Sequence, residues 1–280
     1  MILGIDHIAV STFDILASAR SLESAGCEIA FIEHNIPNGA PKRDFLSDFD
    51  PLHSIALCRP PRGIAIEFTQ HATVSGQHGP YQLLCGNTLS LLASTIGDGS
   101  TQSEWPDVRR SAGWGDVVDR STCTTIADPL SDDHFPAIKA VGLRVSDIEN
   151  SARFWREGLR FRSVAQGASP NGNRWERLSF RSIKPNWCVD LVLFEDKSAT
   201  SGQPMLDDQG ATCLALLSTD IKTDLARMES NNADIFELDV AGKRLSIALL
   251  RGPSGEIVEL IQPQTDTTSA PKLTTAHSFA

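Results

Sequence analysis

Long apolar runs are missing from this 280-residue sequence. Nothing approaches the ~20 consecutive apolar residues that a membrane-crossing helix needs, which excludes a protein built of transmembrane helices. Clusters of basic residues are missing too. Lys and Arg (25) are outnumbered by Asp and Glu (35), are scattered, and leave a net charge of −10. Nucleic acid and anionic membrane, which demand an electropositive footprint, are therefore not expected partners. The opening Met1-Ile2-Leu3-Gly4-Ile5-Asp6-His7 has neither a basic n-region nor a long apolar h-region, so the expected location is the cytoplasm. No C-x-x-C pair occurs among the six cysteines Cys27, Cys58, Cys85, Cys123, Cys188 and Cys213. Reduced thiols serving as small core residues are expected instead.

What is present is an ordinary balance for a folded chain, 41% hydrophobic and 21% charged, at a length of about two domains that can bury roughly 75% of its unfolded surface. The informative feature is repetition. Ser54-Ile-Ala-Leu-Cys-Arg-Pro-Pro-Arg-Gly-Ile-Ala-Ile-Glu-Phe68 and Ser246-Ile-Ala-Leu-Leu-Arg-Gly-Pro-Ser-Gly-Glu-Ile-Val-Glu-Leu260 share eight of fifteen residues without a gap. Each reads as a strand, a Pro/Gly turn and a second strand, which makes a β-hairpin with Glu67 and Glu259 in equivalent places.

A second pattern lies upstream and occurs three times. An apolar strand runs into Asp-Ile and an amphipathic helix at Asp14-Ile15, Asp147-Ile148 and Asp220-Ile221. The aspartates suit helix starts, where the helix dipole favours negative charge. In the middle copy Ser146 and Glu149 have capping-box spacing, which predicts a helix starting at Ser146. Seven residues before the aspartates stand His7, Ala140 and Cys213. Short strands follow each helix, giving β-α-β-β-β units over about 3–70, 138–195 and 211–262. The middle unit ends in Trp187-Cys-Val-Asp-Leu-Val-Leu-Phe194, which puts Asp190 in the place of Glu67 and Glu259. Between Gln70 and Pro136 the pattern blurs. Tyr81–Cys85 and Leu89–Ala93 read as strands, but 97–115 is polar and Gly/Ser-rich.

These features, the Arg-x-Pro-x-Gly hairpin with its glutamate and the Val-Gly-Leu-Arg-Val-Ser-Asp147 run above all, resemble the vicinal oxygen chelate superfamily. That group includes glyoxalase I, methylmalonyl-CoA epimerase, fosfomycin- and bleomycin-resistance proteins and type I extradiol dioxygenases. The resemblance covers about three quarters of the chain. It implies an α+β fold of βαβββ modules paired into cup-like half-barrels, with metal ligands on the first and last strands of each module. The expected division is an N-terminal half, 1–136, with a clear module at 1–70 and a degenerate module or long loop at 71–136. A C-terminal half, 137–263, would hold modules 137–195 and 211–263, followed by a disordered tail at 264–280.

Carried over residue by residue, the resemblance gives His7, Ala140 and Cys213 at the first-strand ligand position, and Glu67, Asp190 and Glu259 at the last. The C-terminal pair lacks both histidines of a 2-His-1-carboxylate iron site, so ring cleavage of the dioxygenase type is not expected there. A site on His7 and Glu67 suits Zn, Mn, Ni or Fe as divalent ions. Its remaining ligands depend on the partner module: His78 or Gln82 from the degenerate segment, Glu259 and Cys213 from the last copy, or Asp190 from the middle one.

Each candidate also has a structural reading. His7 alternates with Leu3, Ile5 and Ala9, and a lone histidine on such a face is commonly a hydrogen-bonded core residue. Glu67, within Ile64-Ala-Ile-Glu-Phe68, is either a buried group needing a partner or part of a solvated strand face. Cys213 reads equally as a small hydrophobe. His34, His53 and His71 read as surface or rim residues, and Trp105, Trp114, Trp175 and Trp187 as core or pocket aromatics. Two functions stand open. One is a glyoxalase-like metal-dependent lyase or isomerase acting on a small oxygen-bearing metabolite, with His7, Glu67 and Glu259 on the metal and Glu67 or Glu259 moving a proton. The other is a metal-free protein that binds, cyclises or rearranges a hydrophobic or aromatic small molecule. The partners expected are a small-molecule substrate or ligand and a second copy of the chain in a homodimer.

Overall fold

The computed structural model describes residues 1–61, 63–85, 138–168, 172–180, 189–196, 203–228 and 233–264. The expectations for 86–137 and 265–280, and for Trp187, lie outside these residues. Module one comprises β1 (Ile2–Ser11), α1 (Ile15–Ser24), β2 (Glu28–Pro37), a 3-10 helix (Ala40–Phe45), β3 (Leu52–Arg59) and β4 (Ala65–Gln70). Two short strands follow, β5 (Ser75–His78) and β6 (Tyr81–Cys85). The middle module is β7 (Ile138–Val145), α2 (Ile148–Arg153) with a π-helical turn at Phe154–Gly158, β8 (Arg162–Ala168), β9 (Arg174–Ser179) and β10 (Asp190–Glu195). The last is β11 (Asp208–Ser218), α3 (Ile221–Arg227), β12 (Ile235–Val240), β13 (Lys243–Arg251) and β14 (Ile257–Pro263).

The helices start where a carboxylate can accept from the free N–H groups of the first turn. Asp14, Asp147 and Asp220 accept from the backbone N–H of Ala17 (2.9 Å), Asn150 (3.1 Å) and Thr223 (3.1 Å). In the middle module the cap is thus Asp147, not Ser146. The Ser146 N–H instead donates to the Ser254 hydroxyl at 3.2 Å. Helix α1 buries Ile15, Ser18, Ala19 and Leu22, one face at the 3.6-residue period. The two repeated segments form matching hairpins, β3–β4 and β13–β14. Gly63 and Gly255 turn them at φ of +96° and +85°, a region that side chains disfavour, which explains why both copies have glycine there.

All three modules order their strands first-fourth-third-second, with the first and fourth parallel. Sheet edges then pair in a way the expected consecutive halves did not foresee. β1 lies antiparallel to β11, so modules one and three build one sheet, β12-β13-β14-β11-β1-β4-β3-β2. Its two ends approach each other, with the Ala241 N–H donating to Glu33 at 2.7 Å, and the sheet wraps into a nearly closed barrel. The cup is lined by residues of modules one and three of a single chain. The middle module pairs its first strand with β6 in a separate sheet, β6-β7-β10-β9-β8. It docks through the Tyr81 hydroxyl on the Ile257 carbonyl (2.8 Å) and the Trp155 N–H on Glu256 (3.2 Å). The barrel sheet has a helix-side core, with Ile8, Val10, Ile66 and Phe68, and an inner core lining the cup, with Ala9, Ile55, Cys213 and Leu249. Among the described residues no helix is long and apolar enough to cross a membrane.

Candidate functional site

The site begins with an irregularity in β1. Its pairing with β11 slips between Ile5 and His7, and such a bulge inverts the alternation of side chains. Ile5 therefore packs on the helix side with Ile8 and Val10, whereas His7 and Ala9 face the cup and Asp6 lines it as well. The simple alternation that would put Ile5 on the face of His7 fails at this bulge. One gain is that Asp6 Oδ2 sits 3.1 Å from His7 Nδ1.

The other ring nitrogen points at two carboxylates. His7 Nε2 is 3.6 Å from Glu67 Oε2 and 3.8 Å from Glu259 Oε2. It is buried and has no hydrogen-bond partner. Glu67 lies opposite Ala9 on β4, and Glu259 opposite Ala215 on β14. The two strands flank the β1–β11 pair, so a local two-fold axis relates Glu67 to Glu259 and His7 to Cys213. The structure thus brings together His7, Glu67 and Glu259 with the Cys213 thiol on one cavity wall.

Electrostatics follows from this crowding. Burial alone would lower the His7 pKa, but Glu67, then Asp6, then Glu259 outweigh it and raise it to about 9. Burial lifts Glu259 to about 6, against the pull of His7 and with a further push from Glu67. Burial, then the charges of Glu259 and Glu67, pushes the Cys213 thiol well above the usual thiol range, which keeps it neutral.

Asp190 is not at the glutamate position. It pairs with Ala140, whereas the glutamates pair two residues beyond the His7-equivalent position, at Ala9 and Ala215. By that register the middle module has Val192 where the others have glutamate. Asp190 is bound by the Arg177 guanidinium, far along a different sheet. Strand β5, with His78, pairs with β11 and β6, with Gln82, pairs with β7, and those two side chains lie outside the described residues.

His53 and His71 are buried, not surface residues. Their rings stack at 5.6 Å and 11°. Beside them Lys42, on the 3-10 helix, donates to His53 Nε2 at 3.4 Å, while His53 Nδ1 donates to the Ile36 carbonyl at 3.0 Å. The signal for His71 was in the sequence, since Glu67, Thr69 and His71 share one face at the strand period of two. Of the three histidines only His34 is exposed, bonded to Ser54. Trp175 is half-buried on β9 against Gly167, outside the cup. The cup encloses about 400 Å³, lined by the His7 group, Lys42 and His71 and by apolar residues such as Leu57, Leu238, Ile247 and Leu249.

The site's donors, one imidazole and two carboxylates beside a thiol, fit a divalent metal of the Zn, Mn, Ni or Fe type. Among the described residues no three His, Cys, Asp or Glu side chains are gathered tightly enough to hold an ion as they stand. The 3.6 and 3.8 Å gaps are nonetheless close to the roughly 3.4 Å between ligand atoms that each lie about 2.0–2.2 Å from a tetrahedral ion. Asp6 on Nδ1 orients the ring as a carboxylate behind a metal-bound histidine does.

No family model matches the chain, and no curated protein matches it in sequence. Solved structures do match. One variant of glyoxalase I from Zea mays is 13% identical, with 92% of each chain covered and a TM-score of 0.52. A second variant of that enzyme is 12% identical, with 92% of this chain and 93% of the other covered and a TM-score of 0.51. The chain therefore has the glyoxalase I fold, which is the fold of the vicinal oxygen chelate superfamily.

Proposed function

We propose that this chain is a divalent-metal-dependent lyase or isomerase of the glyoxalase type, acting on a small oxygen-bearing metabolite in the cup. His7, Glu67 and Glu259 are the side chains that would hold the metal, with the Cys213 thiol adjacent. The observation that carries the reading is His7 Nε2: buried, without a hydrogen bond, and faced by two carboxylates from different modules. A bound divalent ion supplies Lewis-acid polarisation of a substrate carbonyl. Asp6 fixes the imidazole so that Nε2 faces the cavity. Glu259, which burial lifts above the usual carboxylate range, is the carboxylate placed to take a proton from carbon beside a carbonyl and return it to the neighbouring carbon. Glu67 is its two-fold mate and the alternative proton carrier.

The test is elemental analysis of protein purified without a histidine tag. Stoichiometric metal that disappears in His7→Ala supports the enzyme. A metal-free binder of hydrophobic small molecules is the second reading, favoured by the apolar walls and by the three carboxylates that raise the His7 pKa to about 9. Absence of metal together with retained pocket binding would select it.

A further inference from the structure

Lys42 and His71, which also line the cup, have no role in that function. Lys42 is 8% exposed and lines the cavity, yet among the described residues no carboxylate lies within 4.0 Å of its ammonium. A buried ammonium is expensive unless something supplies the opposite charge. His71, 5% exposed, lines the same cavity, and its Nδ1 has no hydrogen-bond partner. Burial first, then the charge of Lys42, holds His53 and His71 down to about 2 and about 4. Both rings are thus neutral at ordinary pH. His53 accepts from Lys42, and the His71 ring, its Nδ1 without a hydrogen-bond partner, lines the cup without adding charge.

We propose that Lys42 and His71 form an anion subsite that holds the carboxylate of a small monocarboxylic acid, whose oxygen-bearing head lies against His7, Glu67 and Glu259. This deepens the function proposed above and rests on its reading of the cavity as the substrate site. One ammonium balances one carboxylate. A phosphate, with a charge of about −1.5 to −2, would keep unpaired charge in a buried place. Apolar residues such as Ile55 and Leu249 line the cavity as well, so the body of the acid is apolar. Lys42 also acts on Glu259 and Cys213 through its field, and a lysine serving only to offset the cup's carboxylates is the competing account.

The experiment uses the metal-free full chain, titrated calorimetrically with benzoate, benzamide and phenyl phosphate. Benzoate should bind about tenfold or more tighter than benzamide, the worth of one charged hydrogen bond, and tighter than phenyl phosphate. Lys42→Met should erase the preference, and Lys42→Arg should keep part of it. Equal binding of benzoate and benzamide, no saturable benzoate binding, tighter phenyl phosphate, or a preference that survives Lys42→Met overturns the subsite. The wild-type comparison decides even if Lys42→Met does not fold. Because benzoate lacks a chelating head and the protein is metal-free, the subsite can fail while the metal reading stands, and the reverse.

Discussion

The first and middle modules have the same strand order and the same aspartate helix cap, but opposite solutions at the strands where ligands could converge. In the first, His7 and Glu67 face a cavity closed by Glu259 of the third module. In the middle one, Ala140 and Val192 hold those places, both buried, and the nearby Asp190 is neutralised by Arg177. A carboxylate held by a guanidinium on the neighbouring strand is a finished structural pair. One faced by an imidazole whose Nε2 has no hydrogen-bond partner is left unfinished, as the proposed metal site requires. The same backbone therefore carries the proposed site in one module and plain core in the other, according to the partner each acid is given.

The sharpest way to break this comparison is to neutralise one acid in each module. Glu259→Gln should slow solvent-deuterium exchange into a 2-hydroxy ketone probe such as dihydroxyacetone by about 10²- to 10⁴-fold, while Asp190→Asn leaves the rate per folded molecule unchanged. Equal losses would erase the distinction. Arg177→Met should do the converse. Stranding the buried Asp190 charge costs about 3–5 kcal/mol in urea unfolding, with metal content unaltered. A loss below about 1 kcal/mol would mean the pair is an ordinary surface one.

Asp6→Asn probes how far the imidazole depends on its neighbour. Metal affinity measured by chelator competition should fall about 10- to 100-fold, the usual effect of losing a carboxylate behind a ligand. An unchanged affinity would leave Asp6 with no orienting role. The smallest effect concerns acid. His53 and His71 have folded pKa values below the unfolded 6.5. Their contribution to stability is therefore intact above about pH 6.5 and is lost as pH falls below it toward their folded values. His71→Gln should flatten the stability–pH curve between about pH 6.5 and 4 by at most about 1.4 kcal/mol per pH unit. A curve as steep as that of the wild type would show that His71 already protonates freely when folded.

Much of this was legible from local sequence, because the features concerned are local. The Asp14, Asp147 and Asp220 caps, the Gly63 and Gly255 turns and the equivalence of Glu67 and Glu259 each follow from residues a few positions apart. Which modules share a sheet was not legible. β1 has one edge taken by β4, and any first strand of matching length satisfies the other, so the choice of β11 depends on the whole assembly. The bulge at Asp6 and the register of Asp190 were missed for a related reason. Side-chain alternation fixes a face but not a position along it, so a two-residue offset left Asp190 pointing the right way from the wrong place. Lys42 gave no sign at all, since a lysine in a polar connection reads as solvent-exposed until the fold closes over it.

The antiparallel seam between β1 and β11 also sets a timetable. His7 pairs with Ala215, so the strand carrying the imidazole waits while roughly two hundred further residues are synthesised, about 10–40 s at 5–20 residues per second. Throughout that interval module one exposes an unpaired, apolar strand edge of the kind that recruits foreign strands. Slow translation or a missing third module would thus be felt first as aggregation of the newborn chain, well before any loss of chemistry could be measured.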